Sequence, residues 1–178
     1  MDKVADIADE IILHRFSKAV TEMLADDDLV KAAPQEFSIT PDLAMKLQPH
    51  FPEWRVSADW TSRKDKMKQI IWQDEDGKLQ SKPIRPDIII HRPHTELNIL
   101  VIEAKRAVNK NNTNYAKDVK KLSLMTLHKS VHPDYHYGYR LGVHLIMDLP
   151  HRTIVGNDVY RNGEIDPKLT ELLWKMVH

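Results

Sequence analysis

Two carboxylates and a lysine stand at spacings that bring them together on a sheet. Glu103 and Lys105 are two residues apart at the end of an apolar run, Leu97 to Ala104. Side chains two apart on a strand share a face, so these two project together while Ala104 turns away. Asp87 follows Pro86 in an earlier apolar segment, Ile84 to His91. A hairpin centred near Thr95 places Asp87 opposite Glu103, and directly opposed residues have Cβ atoms about 5 Å apart. Two carboxylates facing each other in an apolar sheet repel, and burying them without a cation is costly. Lys105 supplies part of the compensating charge. A divalent cation held by oxygen ligands and waters, Mg²⁺ or Mn²⁺, is the better complement. Such an ion polarises a phosphate and lowers the pKa of a water, and a neighbouring lysine orients that water or stabilises charge on the phosphate. The chemistry this pattern implies is phosphodiester hydrolysis. The alternative is a strand-end ion pair of Glu103 with Lys105 or Arg106, with no metal.

The bare acid-x-Lys spacing recurs at Asp76-Gly77-Lys78, Asp118-Val119-Lys120 and Asp166-Pro167-Lys168. Context selects among them, because only Glu103-Ala104-Lys105 ends an apolar strand paired with an earlier Pro-Asp strand.

The elements that must position these residues are legible from periodicity. Apolar residues at Ile7, Ile11, Ile12, Phe16, Val20, Met23 and Leu24 predict a helix from Asp6 to Leu24, ended by Asp26-Asp27-Asp28. A second helix is expected near Glu36 to Gln48, beginning either there or at Thr40-Pro41, which suit N-cap and N1. Arg55 to Thr61 reads as a strand. Met67 to Trp72 and Lys78 to Gln80 flank an Asp76-Gly77 turn. The two runs Ile84 to His91 and Leu97 to Ala104 are continuously apolar, as in strands buried on both faces. Tyr115 to Lys129 predicts a helix, Arg140 to Met147 a buried strand, Thr153 to Ile165 a hairpin about Asn162-Gly163, and Leu169 to Val177 a closing helix. This order implies an α/β fold, a central mixed β-sheet flanked by helices, in one domain over residues 1–178 with its core roughly from 36 to 148.

Composition narrows the function classes. The chain has 178 residues and no cysteine, which excludes disulfides, thiolate metal sites and a cysteine nucleophile. No run approaches the roughly 18 apolar residues of a membrane span, and the N-terminus lacks the pattern of a signal peptide; a cytoplasmic location is expected, with no membrane partner. Lys plus Arg and Asp plus Glu both number 26, yet the charge is uneven. Lys105, Arg106, Lys110, Lys117, Lys120 and Lys121 are opposed between 105 and 121 only by Asp118. That stripe either tracks a phosphate backbone or is a solvated helix face. His128, His132, His136 and His144 lie close in sequence, but Pro133 interrupts them and no zinc pattern follows; surface or hydrogen-bonded histidines are expected. Trp54, Trp60, Trp72 and Trp174 either stack on bases or fill the core. No glycine-rich phosphate loop or nucleophile elbow is present.

The segments Ile84-Arg85-Pro86-Asp87-Ile88-Ile89-Ile90-His91-Arg92 and Asn98-Ile99-Leu100-Val101-Ile102-Glu103-Ala104-Lys105 resemble the catalytic hairpin of the PD-(D/E)XK nuclease superfamily, which has a restriction-endonuclease-like core. Asp118, Lys121, Leu122 and Thr126 resemble the helix after that hairpin in a group of small bacterial and phage proteins. Tyr137-Gly138 fits the approach to the next strand, and Glu36-Phe37-Ser38-Ile39-Thr40 resembles the start of the superfamily's first core helix. The likeness spans Glu36 to Asp148. It implies a Mg²⁺-dependent nuclease, most readily of DNA, with Mn²⁺ as a substitute. Asp87, Glu103 and the carbonyl of Ala104 would bind the metal, and Lys105 would act on the water or the phosphate. Glu36 would be the helix carboxylate, a role for which Glu10 and Glu22 compete. Lys121, Lys120 and Arg63 would contact substrate, and Asp118 would orient a lysine. Where many relatives carry an acid and an aromatic before the arginine, this chain reads Ala58-Asp59-Trp60-Thr61-Ser62-Arg63, so Asp59 also competes for a place in the site. With little beyond the catalytic core, specificity is expected from loops, from DNA structure, from a homodimer or from a partner protein. Two other readings stay open: a nuclease-fold module that binds DNA or protein without cutting, and an RNase using the same site.

Overall fold

A computed structural model describes residues 7–32, 36–58, 62–63, 66–67, 69–95, 97–109, 114–128 and 137–178. Asp59, Trp60, Lys110, His132 and His136, and the side chains of Glu36 and Arg63, lie outside what is described.

The elements in chain order are α1 (Asp9–Leu24), α2 (Asp27–Ala32), α3 (Glu36–Leu47), β1 (Arg55–Ala58), β2 (Ser62–Arg63), β3 (Lys66–Met67), β4 (Gln69–Gln73), β5 (Leu79–Pro83), β6 (Ile88–His91), β7 (Asn98–Arg106), α4 (Asn114–Thr126), β8 (Leu141–Asp148), β9 (Thr153–Arg161), β10 (Glu164–Ile165) and α5 (Pro167–Val177). One difference from the sequence reading has a local cause, and one open alternative is decided. The run Asp26-Asp27-Asp28 ends α1 but also starts α2, because the Asp26 carboxylate accepts from the Leu29 N–H and acts as a cap. Helix α3 begins at Glu36 and carries Pro41 inside it. Proline has no N–H to give to the preceding turn, yet the helix continues through it.

The main sheet has the order β1-β6-β7-β8-β9-β10. It is mixed: β7 and β8 run parallel, and the other neighbours run antiparallel. The α/β architecture expected from the sequence, a central mixed sheet flanked by helices, is the one observed. One face carries Ile88, Ile90, Leu100, Ile102, Ala104, Val143 and Leu145 and packs with residues of α1, α3 and α5 into the larger core. The other carries Ile89, Val101 and Tyr160 and packs against Leu122 and Met125 of α4. The parallel pair requires a crossover, and α4 supplies it. Its close approach depends on Gly142, where a Cβ would lie 3.0 Å from the Thr126 methyl and 3.3 Å from Leu122.

Two small sheets stand outside the main one, β2 with β3 and β4 with β5. The β4–β5 turn is set by Asp74, whose Oδ1 accepts from the N–H groups of Asp76 and Lys78, and by Gly77 at φ 75°. Among the described residues no helix is long and apolar enough to cross a membrane.

The β9–β10 turn is an Asn162-Gly163 pair with φ of 54° and 87°, the left-handed geometry that tight hairpins need. A Cβ at Gly163 would also lie 2.6 Å from the Leu127 side chain. Gly163→Ala is expected to lower stability by about 1–2 kcal/mol, read as a lower urea midpoint at unchanged slope. An unchanged midpoint would contradict this turn.

Candidate active site

Asp87 sits one residue before β6. Pro86 cannot donate to a ladder, so the regular strand starts later than the expected Ile84. The antiparallel register pairs Ile88 with Ile102, Ile89 with Val101 and Ile90 with Leu100. Continued one step, it sets Asp87 against Glu103, as the hairpin centre near Thr95 implied. Instead of a backbone ladder bond, Asp87 Oδ2 accepts from the Ala104 N–H at 2.9 Å. In a strand a residue's N–H and C=O point to the same side, so the Ala104 carbonyl heads the same way, beyond the paired part of β6.

Glu103 and Lys105 share a face, and both are deeply buried, with 1% and 4% exposed. That face is covered by α4. The contacts observed differ from the alternative ion pair of Glu103 with Lys105 or Arg106. Lys121 Nζ donates to Glu103 Oε2 at 2.9 Å and to the Arg85 carbonyl at 3.2 Å. Lys105 Nζ pairs with Asp118 Oδ2 at 2.8 Å, and Lys121 also lies 3.7 Å from Asp118 Oδ1. Charges therefore alternate along a chain, Glu103, Lys121, Asp118, Lys105. The reason is helical spacing: Asp118 and Lys121 are three apart on α4, so both face the strand together.

The chain leaves one atom over. Glu103 Oε1 is buried with no hydrogen-bond partner among the described residues. Burial pushes the Glu103 carboxyl well above its ordinary range, and the charge of Asp87 adds to the shift, against the opposing pull of Lys121. Burial alone would pull the Lys121 ammonium down, but Glu103, Asp118 and Asp87 hold it above its usual value.

Among the described residues no group of three or more His, Asp or Glu side chains is set to hold a metal. The oxygen set is smaller: the Glu103 oxygen left over, Asp87 across the hairpin, and the Ala104 carbonyl. That fits a hard divalent cation that keeps several waters, as Mg²⁺ does.

The remaining candidates are dispersed. α3 starts at Glu36 and packs on β7. Glu10 and Glu22 are exposed on α1, and Glu22 is engaged by His50 at 2.8 Å. Arg63 is in β2, outside the main sheet. Lys120 is exposed, with its Nζ 4.0 Å over the Trp72 ring. Of the other tryptophans, Trp54 is in the core and Trp174 is exposed, stacked on His178. His128 is exposed at the end of α4.

Sequence reasoning named His144 only among clustered histidines expected at the surface or hydrogen-bonded, whereas it is buried beside the site. It is in register with Glu103 across the parallel pair, its Nε2 is 3.9 Å from Asp118 Oδ2, and the Tyr115 ring meets it edge-on at 4.9 Å. The available signal was a lone histidine within the apolar strand Leu141 to Met147.

No protein-family model and no curated protein matches the chain. Among solved structures, "Crystal structure of SSO0001" is similar with a TM-score of 0.40 and 12% identity over 78% of this chain. The match covers 55% of that protein, so this chain spans about half its length.

The raised Glu103 carboxyl has a signed consequence in metal-free protein. Between the ordinary carboxylate range and its elevated folded value, the folded state holds a proton that the unfolded chain has lost. Stability from this group therefore falls as pH rises through that window. Glu103→Gln is expected to flatten the decline, measured by urea unfolding in EDTA from about pH 5 to about pH 8. A wild-type slope in the variant would show that Glu103 ionises freely.

Proposed function

We propose that this protein is a metal-dependent nuclease that hydrolyses phosphodiester bonds, most readily in DNA, using Mg²⁺ or Mn²⁺. The observation that carries the reading is the β6–β7 register, which, continued one step beyond Ile88 and Ile102, sets Asp87 against Glu103, with Lys105 on the same face as Glu103. The likeness of this hairpin to the PD-(D/E)XK nucleases supports the same assignment, including a restriction-endonuclease-like core.

Asp87 and Glu103 would hold the cation, with the Ala104 carbonyl beside them. Once bound, the cation would polarise the phosphate and make a water more acidic. The roles left to the protein follow from its own contacts. Asp118 holds the Lys105 ammonium in one position, so that it donates to the attacking water or to a phosphate oxygen without first being ordered. Lys121 keeps Glu103 from turning away. Burial of Lys105 beneath α4 lowers the local dielectric and strengthens its interactions.

Supercoiled plasmid and single-stranded DNA should be cut with Mg²⁺ or Mn²⁺ and not in EDTA, and Lys105→Ala should lower the rate about 100-fold or more. Cleavage unaffected by that change would remove Lys105 from the mechanism. Asp87→Ala should abolish Mg²⁺ binding in a calorimetric titration, whereas Lys105→Ala should retain it; unchanged affinity in Asp87→Ala would end the two-carboxylate assignment.

A second reading is a non-cleaving module that binds nucleic acid or protein. It is favoured by the Lys121–Glu103 contact, which neutralises that carboxylate without a metal. The same titration separates the two, because a module of this kind binds no Mg²⁺.

A further inference from the structure

The β4–β5 hairpin belongs to no part of the main sheet, yet it leans on α4. Trp72 on β4 is only half-buried, and Lys120 of α4 caps its ring. Between hairpin and helix runs a groove of about 430 Å³, walled by Trp72, Lys82, Ile84, Lys117 and Lys120. Its lining also includes Asp118 and Lys121, the residues that hold Lys105 and Glu103. The groove therefore adjoins the candidate active site through those two residues.

Resting on the nuclease reading, we infer that this groove seats one unpaired nucleotide of a single-stranded substrate, with its base on the Trp72 indole and its phosphates on Lys82, Lys117 and Lys120. Three features carry this. The lining pairs an aromatic face with several cations and one acid, the combination that holds single strands without reading sequence. The volume lies at the low end for small-ligand sites, enough for about one nucleotide and too small for a duplex. The third is the contact between Lys120 and Trp72. An exposed cation–π contact is worth about a two- to fivefold factor, whereas a base stacked on an aromatic ring is worth about 5- to 150-fold. A base therefore displaces the lysine from the ring, and the freed ammonium finds the adjacent phosphate. Lys120 keeps the platform covered until substrate arrives. An acidic peptide would satisfy the lysines but would leave the indole with no planar partner.

The test is binding in EDTA, where no cutting occurs, of a labelled single strand of about ten nucleotides and of a blunt duplex of equal length, followed by fluorescence anisotropy. Wild type should prefer the single strand. Trp72→Ala should weaken single-strand binding about 5- to 150-fold, and Trp72→Phe should keep most of it. Trp72→Leu, which retains apolar bulk without an aromatic face, should behave as Trp72→Ala and serves if that variant does not fold. Lys120→Ala should make the logarithmic salt slope shallower by about one. Single-strand binding that is indifferent to Trp72, or equal Trp72-dependent binding of polyglutamate, would overturn the inference. Trp72-dependent binding by a protein that cleaves with neither Mg²⁺ nor Mn²⁺ would remove the nuclease reading and leave the groove. Trp72-independent binding by a protein that cuts would do the reverse.

Discussion

Two charged side chains are buried in a strand that is otherwise apolar, and much of the molecule is arranged to make that tolerable. Glu103 and Lys105 cannot be solvated beneath α4, and an uncompensated buried charge costs several kcal/mol. The counter-charges come from Asp118 and Lys121 on the covering helix. Removing Asp118 costs about 3–5 kcal/mol, because the Lys105 ammonium stays buried. The helix cannot shift without exposing the mismatch, so α4 is held by electrostatics as well as by Leu122 and Met125.

That constraint reaches outward through packing. α4 comes close only because Gly142 has no side chain, and the Gly163 N–H donates to the Thr126 hydroxyl at the far end of the same helix. The opposite face of the sheet carries none of this charge. Its Ile, Leu and Val residues meet α1, α3 and α5 in an ordinary apolar core, where each fully buried side chain contributes about 1.5–3 kcal/mol. Stability is thus concentrated on one face and polar chemistry on the other. The compensation is incomplete at Glu103 Oε1. An unsatisfied buried acceptor costs about 1–3 kcal/mol, a cost that a ligand bound there would relieve.

The alternation of charge also separates the two lysines of the site. Lys105 is fixed by Asp118; Lys121 spans Glu103, the Arg85 carbonyl and the groove beside Trp72. Arg85 sits two residues before Asp87, so the segment leading into β6 helps to line the groove as well as to present the carboxylate. A ligand in the groove would therefore meet Lys121, which also holds Glu103.

The hairpin was legible in the sequence because its determinants are local. Period-two alternation and the turn at Pro93 to Thr95 suffice to set Asp87 against Glu103 and to put Lys105 on the same face. The Asn162-Gly163 and Asp76-Gly77 turns are equally local, a matter of backbone dihedrals that glycine and asparagine tolerate. The short helix α2 escaped notice, because acids that usually mark a boundary here lie at the head of a helix. What only tertiary structure decided is which cation meets which carboxylate. Lys105 and Arg106 stood nearest Glu103 in sequence, and no spacing favours Lys121 over them. The choice depends on the rotation and height of α4 over β7, and those follow from Gly142, Thr126 and Leu122, contacts between residues far apart in the chain. His144 entered the site for the same reason: a parallel ladder aligns it with Glu103, and parallel register is set by a crossover whose geometry no short stretch of sequence encodes.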